Sequence, residues 1–115
     1  MSAVLASLLH FPIESVPTFS DGASWIADLN KWLRPYGLAY LLITKETFDE
    51  AFSAQGIEDC YHEMAGPSVN FAGVDHACGA HDGKFVYDPH PEGKGLEQYT
   101  TCGVFIALRP WRAME

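Results

Sequence analysis

Between Lys45 and Lys84 the sequence holds no lysine and no arginine. The same interval carries Glu46, Asp49, Glu50, Glu58, Asp59, Glu63, Asp75 and Asp82. Basic groups are scarce throughout, with 7 Lys and Arg against 15 Asp and Glu and a formal net charge of −8. A domain this acidic repels nucleic acid and anionic membrane, and it attracts basic protein surfaces. For any single carboxylate a solubilising surface is explanation enough. An uninterrupted acidic face has a second use, because it can imitate a nucleic-acid backbone.

Cysteine is equally sparse. Three cysteines, at positions 60, 78 and 102, cannot pair evenly and follow no C-x-x-C spacing. That excludes a disulfide framework and fits a reducing, cytoplasmic compartment. No run reaches the ~18 apolar residues of a membrane span. The start, MSAVLASLLHF, lacks the basic n-region of a secretion signal. Internal repeats, low-complexity stretches and linkers are absent, so 115 residues read as a single domain, 1–115, with no membrane partner. A monomer is expected.

What is present is ordinary globular material, 48% hydrophobic and 19% charged. Residues 2–11 carry Val4, Leu5, Leu8 and Leu9 on one helical stripe, stopped by Pro12. Ser20 or Asp21 can cap a second helix with Trp25, Ile26, Leu29, Trp32 and Leu33 on its apolar face, ended by Pro35 and Gly37. LAYLLIT, 38–44, is apolar and of strand length, so a buried strand is expected. Thr44 caps a third helix through Gln55, with Phe48 and Phe52 one turn apart and Gly56 at its C′ position. Strands follow at 59–65, on both sides of a turn near 81–83, and at 99–108. The order predicts an α+β domain, with N-terminal helices segregated to one side of a mostly antiparallel sheet. Trp25, Trp32, Phe48 and Phe52 belong to its core rather than to a ligand cage.

The densest chemistry lies in VDHACGAHDGKFVYDPHP, residues 74–91. A three-residue turn, His81-Asp82-Gly83, closed by a glycine bulge sets Ala80 opposite Lys84 and His76 opposite Asp88. A two-residue turn, Asp82-Gly83, slips the register and sends the pair to opposite faces. A carboxylate holding an imidazole is the base–orienter part of a nucleophilic hydrolase, although a His opposite an Asp is commonly just a satisfied polar pair. His76, Cys78, His81, Asp88 and His90 carry zinc-compatible atoms. Their H-x-C-x₂-H order matches no familiar ligand spacing, and neither metal nor cofactor is expected.

ASLLHFPIESVPTF, WIADLNKWLRPYGL, YHEMAGPS and DHACGAHDGKFVYDPHPEGKGL together resemble a family of small papain-like proteins common in phage and prophage genomes. The D-P-H-P-x-G-x-G-L stretch is the most specific part, and the likeness runs nearly the length of the chain. It implies a minimal papain-like fold with His76 as base and Asp88 as orienting acid. The family's nucleophilic cysteine, near the start of the first helix, aligns at or just before Met1. Ser2, the nearest hydroxyl, lies roughly 200° around the helix from that position. Cys78 shares the base's own strand and lacks a helix N-terminus to activate it. The pair is therefore expected to be vestigial.

Two functions follow. One is a non-catalytic acidic binding protein, similar in profile to phage-encoded anti-CRISPR inhibitors that act as DNA mimics. Its partner is expected to be the basic surface of a nucleic-acid-binding complex in the bacterial host's cytoplasm. Glu46, Asp49, Glu50, Glu58, Asp59 and Glu63 are its candidate contact residues. The alternative is a papain-like cysteine hydrolase, peptidase or amidase, whose cysteine lies upstream of Met1.

Overall fold

A computed structural model of the protein describes residues 1–19, 24–67, 75–89, 96 and 98–109. The expected caps Ser20 and Asp21, and His90 with most of the loop after it, lie outside the described residues. Three α-helices, α1 (Ser2–Leu9), α2 (Trp25–Leu33) and α3 (Lys45–Gln55), accompany five strands. The strands are β1 (Leu38–Thr44), β2 (Tyr61–Pro67), β3 (Asp75–His81), β4 (Lys84–Tyr87) and β5 (Thr101–Ala107). They form one sheet in the order β1-β5-β2-β3-β4, and every neighbouring pair is antiparallel. The architecture is α+β.

Local chemistry sets most element ends. α1 stops where His10 turns left-handed at φ 59°, two residues before Pro12. α2 runs into a short 3₁₀ turn, Arg34–Tyr36, closed by Gly37 at φ 74°. The Thr44 hydroxyl accepts the Thr47 N–H at 3.1 Å to cap α3, and Gly56 ends the helix at φ 68°. Among the described residues no helix is long and apolar enough to cross a membrane.

The helices are not confined to one side of the sheet, contrary to the sequence expectation. Leu5 of α1 and Leu29 and Leu33 of α2 pack with Val16 and Tyr40, joined by Trp25, Trp32 and Phe105. Phe48 of α3 packs on the other face, against Met64, Ala80 and Cys102. Side chains alternate along strands, so these two sets cannot share a face. The side chain of Asn30 pins α2 to β1 through both backbone groups of Tyr40, accepting its N–H at 2.6 Å and donating to its carbonyl at 3.0 Å. β1 was expected to be buried, but it is an edge strand whose Leu41 is 47% exposed. A continuous apolar run does not reveal which strands lie at an edge.

Candidate functional site

The β3–β4 hairpin closes differently from the expected three-residue turn. Asp82 and Gly83 have φ of 52° and 81°, the paired positive values of a two-residue type I′ turn. His81 therefore pairs with Lys84 and Ala80 with Phe85, but the next pair is Gly79 with Tyr87. Val86 is the extra residue of a β-bulge. The short turn shifts the register one way, and the bulge moves it a further step. Continued one residue past the end of β4, this register puts Asp88 level with Cys78 rather than with His76, and the three side chains meet on one face. His76 reaches Asp88 along the diagonal, with Nε2 2.6 Å from Oδ1.

Asp88 is nearly enclosed, its side chain 3% exposed against 25% for His76. The Cys78 thiol is fully buried, hydrogen-bonds with the Tyr99 hydroxyl, and is pushed up to about 11 by burial and then by the charge of Asp88. At neutral pH it is a protonated thiol and a poor nucleophile. Burial raises Cys102 to about 12 and also raises Cys60. Cys60 stands just before β2, near the β3–β4 turn rather than beside His76.

The papain-like arrangement needs the start of α1 to face His76. β2 and β3 pair Met64 with Cys78, and Met64 belongs to the α3-side core, so His76, two residues along from Cys78, also faces the α3 side. α1 packs on the opposite side with Tyr40. The Ser2 hydroxyl donates to the Pro17 carbonyl at 2.8 Å and takes no part in the pair.

Five of the six candidate contact acids are exposed: Glu46, Asp49, Glu50, Glu58 and Asp59. Glu46 and Glu50, four positions apart, share the outer side of α3 opposite Phe48 and Phe52, while Asp49 sits on the helix flank that faces the hairpin turn. The α3 helix leans against the hairpin turn, where a Cβ on Gly83 would stand 3.2 Å from an Asp49 oxygen. At that turn the Asp82 carboxylate accepts the N–H groups of Asp59 and Cys60 at 3.0 and 2.8 Å, and these bonds hold it below its ordinary value. His81 Nε2 meets Asp59 Oδ1 at 3.0 Å. Among the described residues, the basic groups at this end are Lys45, paired with Asp49, and exposed Lys84.

Glu63 is the exception. Expected on the surface, it is 1% exposed in the middle of the sheet, where a partner cannot touch it. Its Oε2 accepts the Tyr40 hydroxyl, and its Oε1 has no partner among the described residues. Burial pushes its carboxyl up to about 7 against the opposing pull of the Tyr40 bond and the N-terminal amine.

His62 is another buried polar group that sequence reasoning missed. Its Nε2 accepts the Gly83 N–H at 2.9 Å, so Nδ1 carries the proton and donates to the Glu63 carbonyl at 2.9 Å. Burial pushes its ring below the ordinary histidine value. It fastens the turn to β2. Neither a protein-family profile, nor a curated protein, nor a solved structure matches this chain.

Proposed function

We propose that the protein acts by binding a basic macromolecular surface rather than by catalysis. One observation carries this reading: exposed Glu46 and Glu50 line the solvent side of α3, and exposed Asp49 on its flank leads to the turn that gathers Asp59 and Asp82. A Lys/Arg-lined groove built for a nucleic-acid backbone complements such a surface in charge. Occupying that groove excludes the nucleic acid, which is how an inhibitor of the anti-CRISPR type works. The setting is a bacterial host's cytoplasm, where three unpaired thiols stay reduced. The inert surroundings of Cys60, Cys78 and Cys102 favour binding over chemistry.

The test measures binding to purified bacterial nucleic-acid-binding complexes over a salt series. Affinity should fall by roughly tenfold or more between 50 and 200 mM salt. Charge reversal of Glu46, Asp49 and Glu50 to Lys together should abolish binding, and the complex's own nucleic acid should compete. A partner held equally well by the triple reversal at any salt would sink the idea.

A second reading, a papain-like cysteine hydrolase with His76 as base and Asp88 as orienter, is favoured by the 2.6 Å contact to a buried carboxylate. It needs a reactive thiolate beside His76, and Cys78, though near, is a buried thiol pushed up to about 11, while α1 lies on the other side of the sheet. Selective labelling by a thiol-directed active-site probe at neutral pH, lost in His76→Ala, would raise it above the first.

A further inference from the structure

We propose that His76, Cys78 and Asp88 form a binding site for a divalent transition-metal ion, zinc by the chemistry of its donors. One ligand atom from each side chain lies within 4.8 Å of the other two. Zinc bonds of ~2.0 Å to nitrogen and oxygen and ~2.3 Å to sulfur set neighbouring ligands of a tetrahedron roughly 3.5 Å apart. From a spacing within 4.8 Å, the donors need to close by up to roughly an ångström onto one ion, and the direct His76–Asp88 contact has to open to admit it. A mixed nitrogen, sulfur and oxygen set suits zinc, whereas calcium and magnesium take oxygen ligands.

The backbone already pays the cost of assembling these ligands. His76 and Cys78 are two residues apart on one strand and so share a face. The bulge at Val86 shifts the register so that Asp88, the residue after β4, comes level with Cys78 on that face. Cys78 is fully buried, the Asp88 side chain is 3% exposed, and His76 is 25% exposed. An ion here is enclosed on the sheet side and approachable past the imidazole.

The charges also balance. On binding, the Cys78 S–H bond breaks, a sulfur–zinc bond forms and the proton leaves to solvent. A thiolate and a carboxylate then neutralise the two positive charges, which is what a buried site tolerates. Tyr99 stands in the outer shell, its hydroxyl bonded to Cys78 while accepting the Leu96 N–H at 3.0 Å. Three protein ligands leave a fourth position for water, the arrangement of catalytic zinc rather than closed structural sites. The site is independent of the acidic surface on α3, so either proposal can fail alone.

Cobalt(II) titration of the metal-stripped protein, followed by displacement with zinc, tests this. One equivalent of cobalt should give a thiolate-to-metal charge-transfer band and the intense visible bands of a four-coordinate ion, both bleached by zinc. Cys78→Ser should lose the charge-transfer band. His76→Gln and Asp88→Asn should each weaken zinc binding by about 100-fold, while His81→Ala and Cys60→Ala leave it unchanged. Circular dichroism establishes which variants fold. The wild-type spectrum decides the matter even where one does not: no thiolate band, or a band lost in Cys60→Ala and kept in Cys78→Ser, overturns the site.

Discussion

Tyr40 donates its hydroxyl hydrogen to Oε2 of Glu63, joining two buried side chains on the side of the sheet covered by α1 and α2. The Tyr40 ring lies over Gly103, whose missing side chain gives it room to reach β2. Burial lifts both groups, the phenol upward and the carboxyl to about 7. This pair makes the fold sensitive to pH.

Glu63 takes up a proton in the folded chain at a pH where the unfolded chain has lost it. A folded value of about 7 against the ordinary 4.5 means its stability contribution is complete below about pH 4.5 and is lost as pH rises through about 7. The full loss is about 3 kcal/mol. His62, lowered by burial, acts in the opposite direction, since its unfolded form takes up the extra proton as pH falls. Urea denaturation of wild type and Glu63→Gln across pH 4.5 to 8 separates the two effects. The difference between the curves should grow with pH in favour of the variant, and parallel curves would exclude Glu63 as the cause.

Gly103→Ala should be among the most damaging single-methyl additions. Its Cβ would collide with Cε2 and Oη of Tyr40, in a strand paired on both sides. The ring must move, which leaves Glu63 without its donor. A loss of about 3 kcal/mol is expected from overpacking together with a broken buried hydrogen bond. Thermal denaturation checks it. If Tyr40→Phe placed in Gly103→Ala removed as much stability again, the hydrogen bond would have survived the substitution.

Elements whose signals are local were legible in the sequence. Thr44 and Gly56 bound α3 because a cap hydroxyl and a left-handed glycine act on their own turn. LAYLLIT matches β1 residue for residue. Signals that depend on tertiary placement were not legible. The Phe48 and Phe52 stripe shows that α3 has an apolar side but not which face of the sheet that side covers. Glu63 reads as one more surface acid until Tyr40 is seen lying over Gly103, and a glycine within an apolar strand was the available hint of a close approach. In the hairpin, Asp-Gly signalled its turn, but nothing in KFVYDP marks Val86 as a bulge. The proximity of His76 and Asp88 could be foreseen, while the route by which they meet, and the place of Cys78 between them, could not.

The hairpin turn gives a more local test. Gly83 has φ 81°, and a Cβ there would also press on Phe48 Cε1 at 3.4 Å. Gly83→Ala should cost about 1–2 kcal/mol, most of it from the left-handed backbone. Thr44→Ala, which removes the cap of α3, should cost about 1 kcal/mol. Both changes bear on the first turns of α3, because the methyl at Gly83 would meet Lys45, Phe48 and Asp49, so the double variant should depart from the simple sum in chemical denaturation. A Gly83→Ala protein as stable as wild type would rule out the type I′ turn.

The three thiols should differ in reactivity in an order set by their surroundings. Cys78 and Cys102 are fully buried and raised to about 11 and about 12, whereas Cys60 is only half-buried, its thiol raised by burial and by the charge of Asp82. Only the thiolate reacts, so at pH 7.5 a thiol near 11 presents a few hundredfold less nucleophile than an ordinary one near 8.5, before access is counted. With a limiting alkylating reagent, Cys60 should be modified first and the other two at least about 100-fold more slowly. In urea the three rates should converge. Peptide mapping by mass spectrometry reads the order directly. Rapid labelling of Cys78 in the folded protein would mean that His76 activates it after all, and the pair would then have to be treated as the working base of a cysteine enzyme.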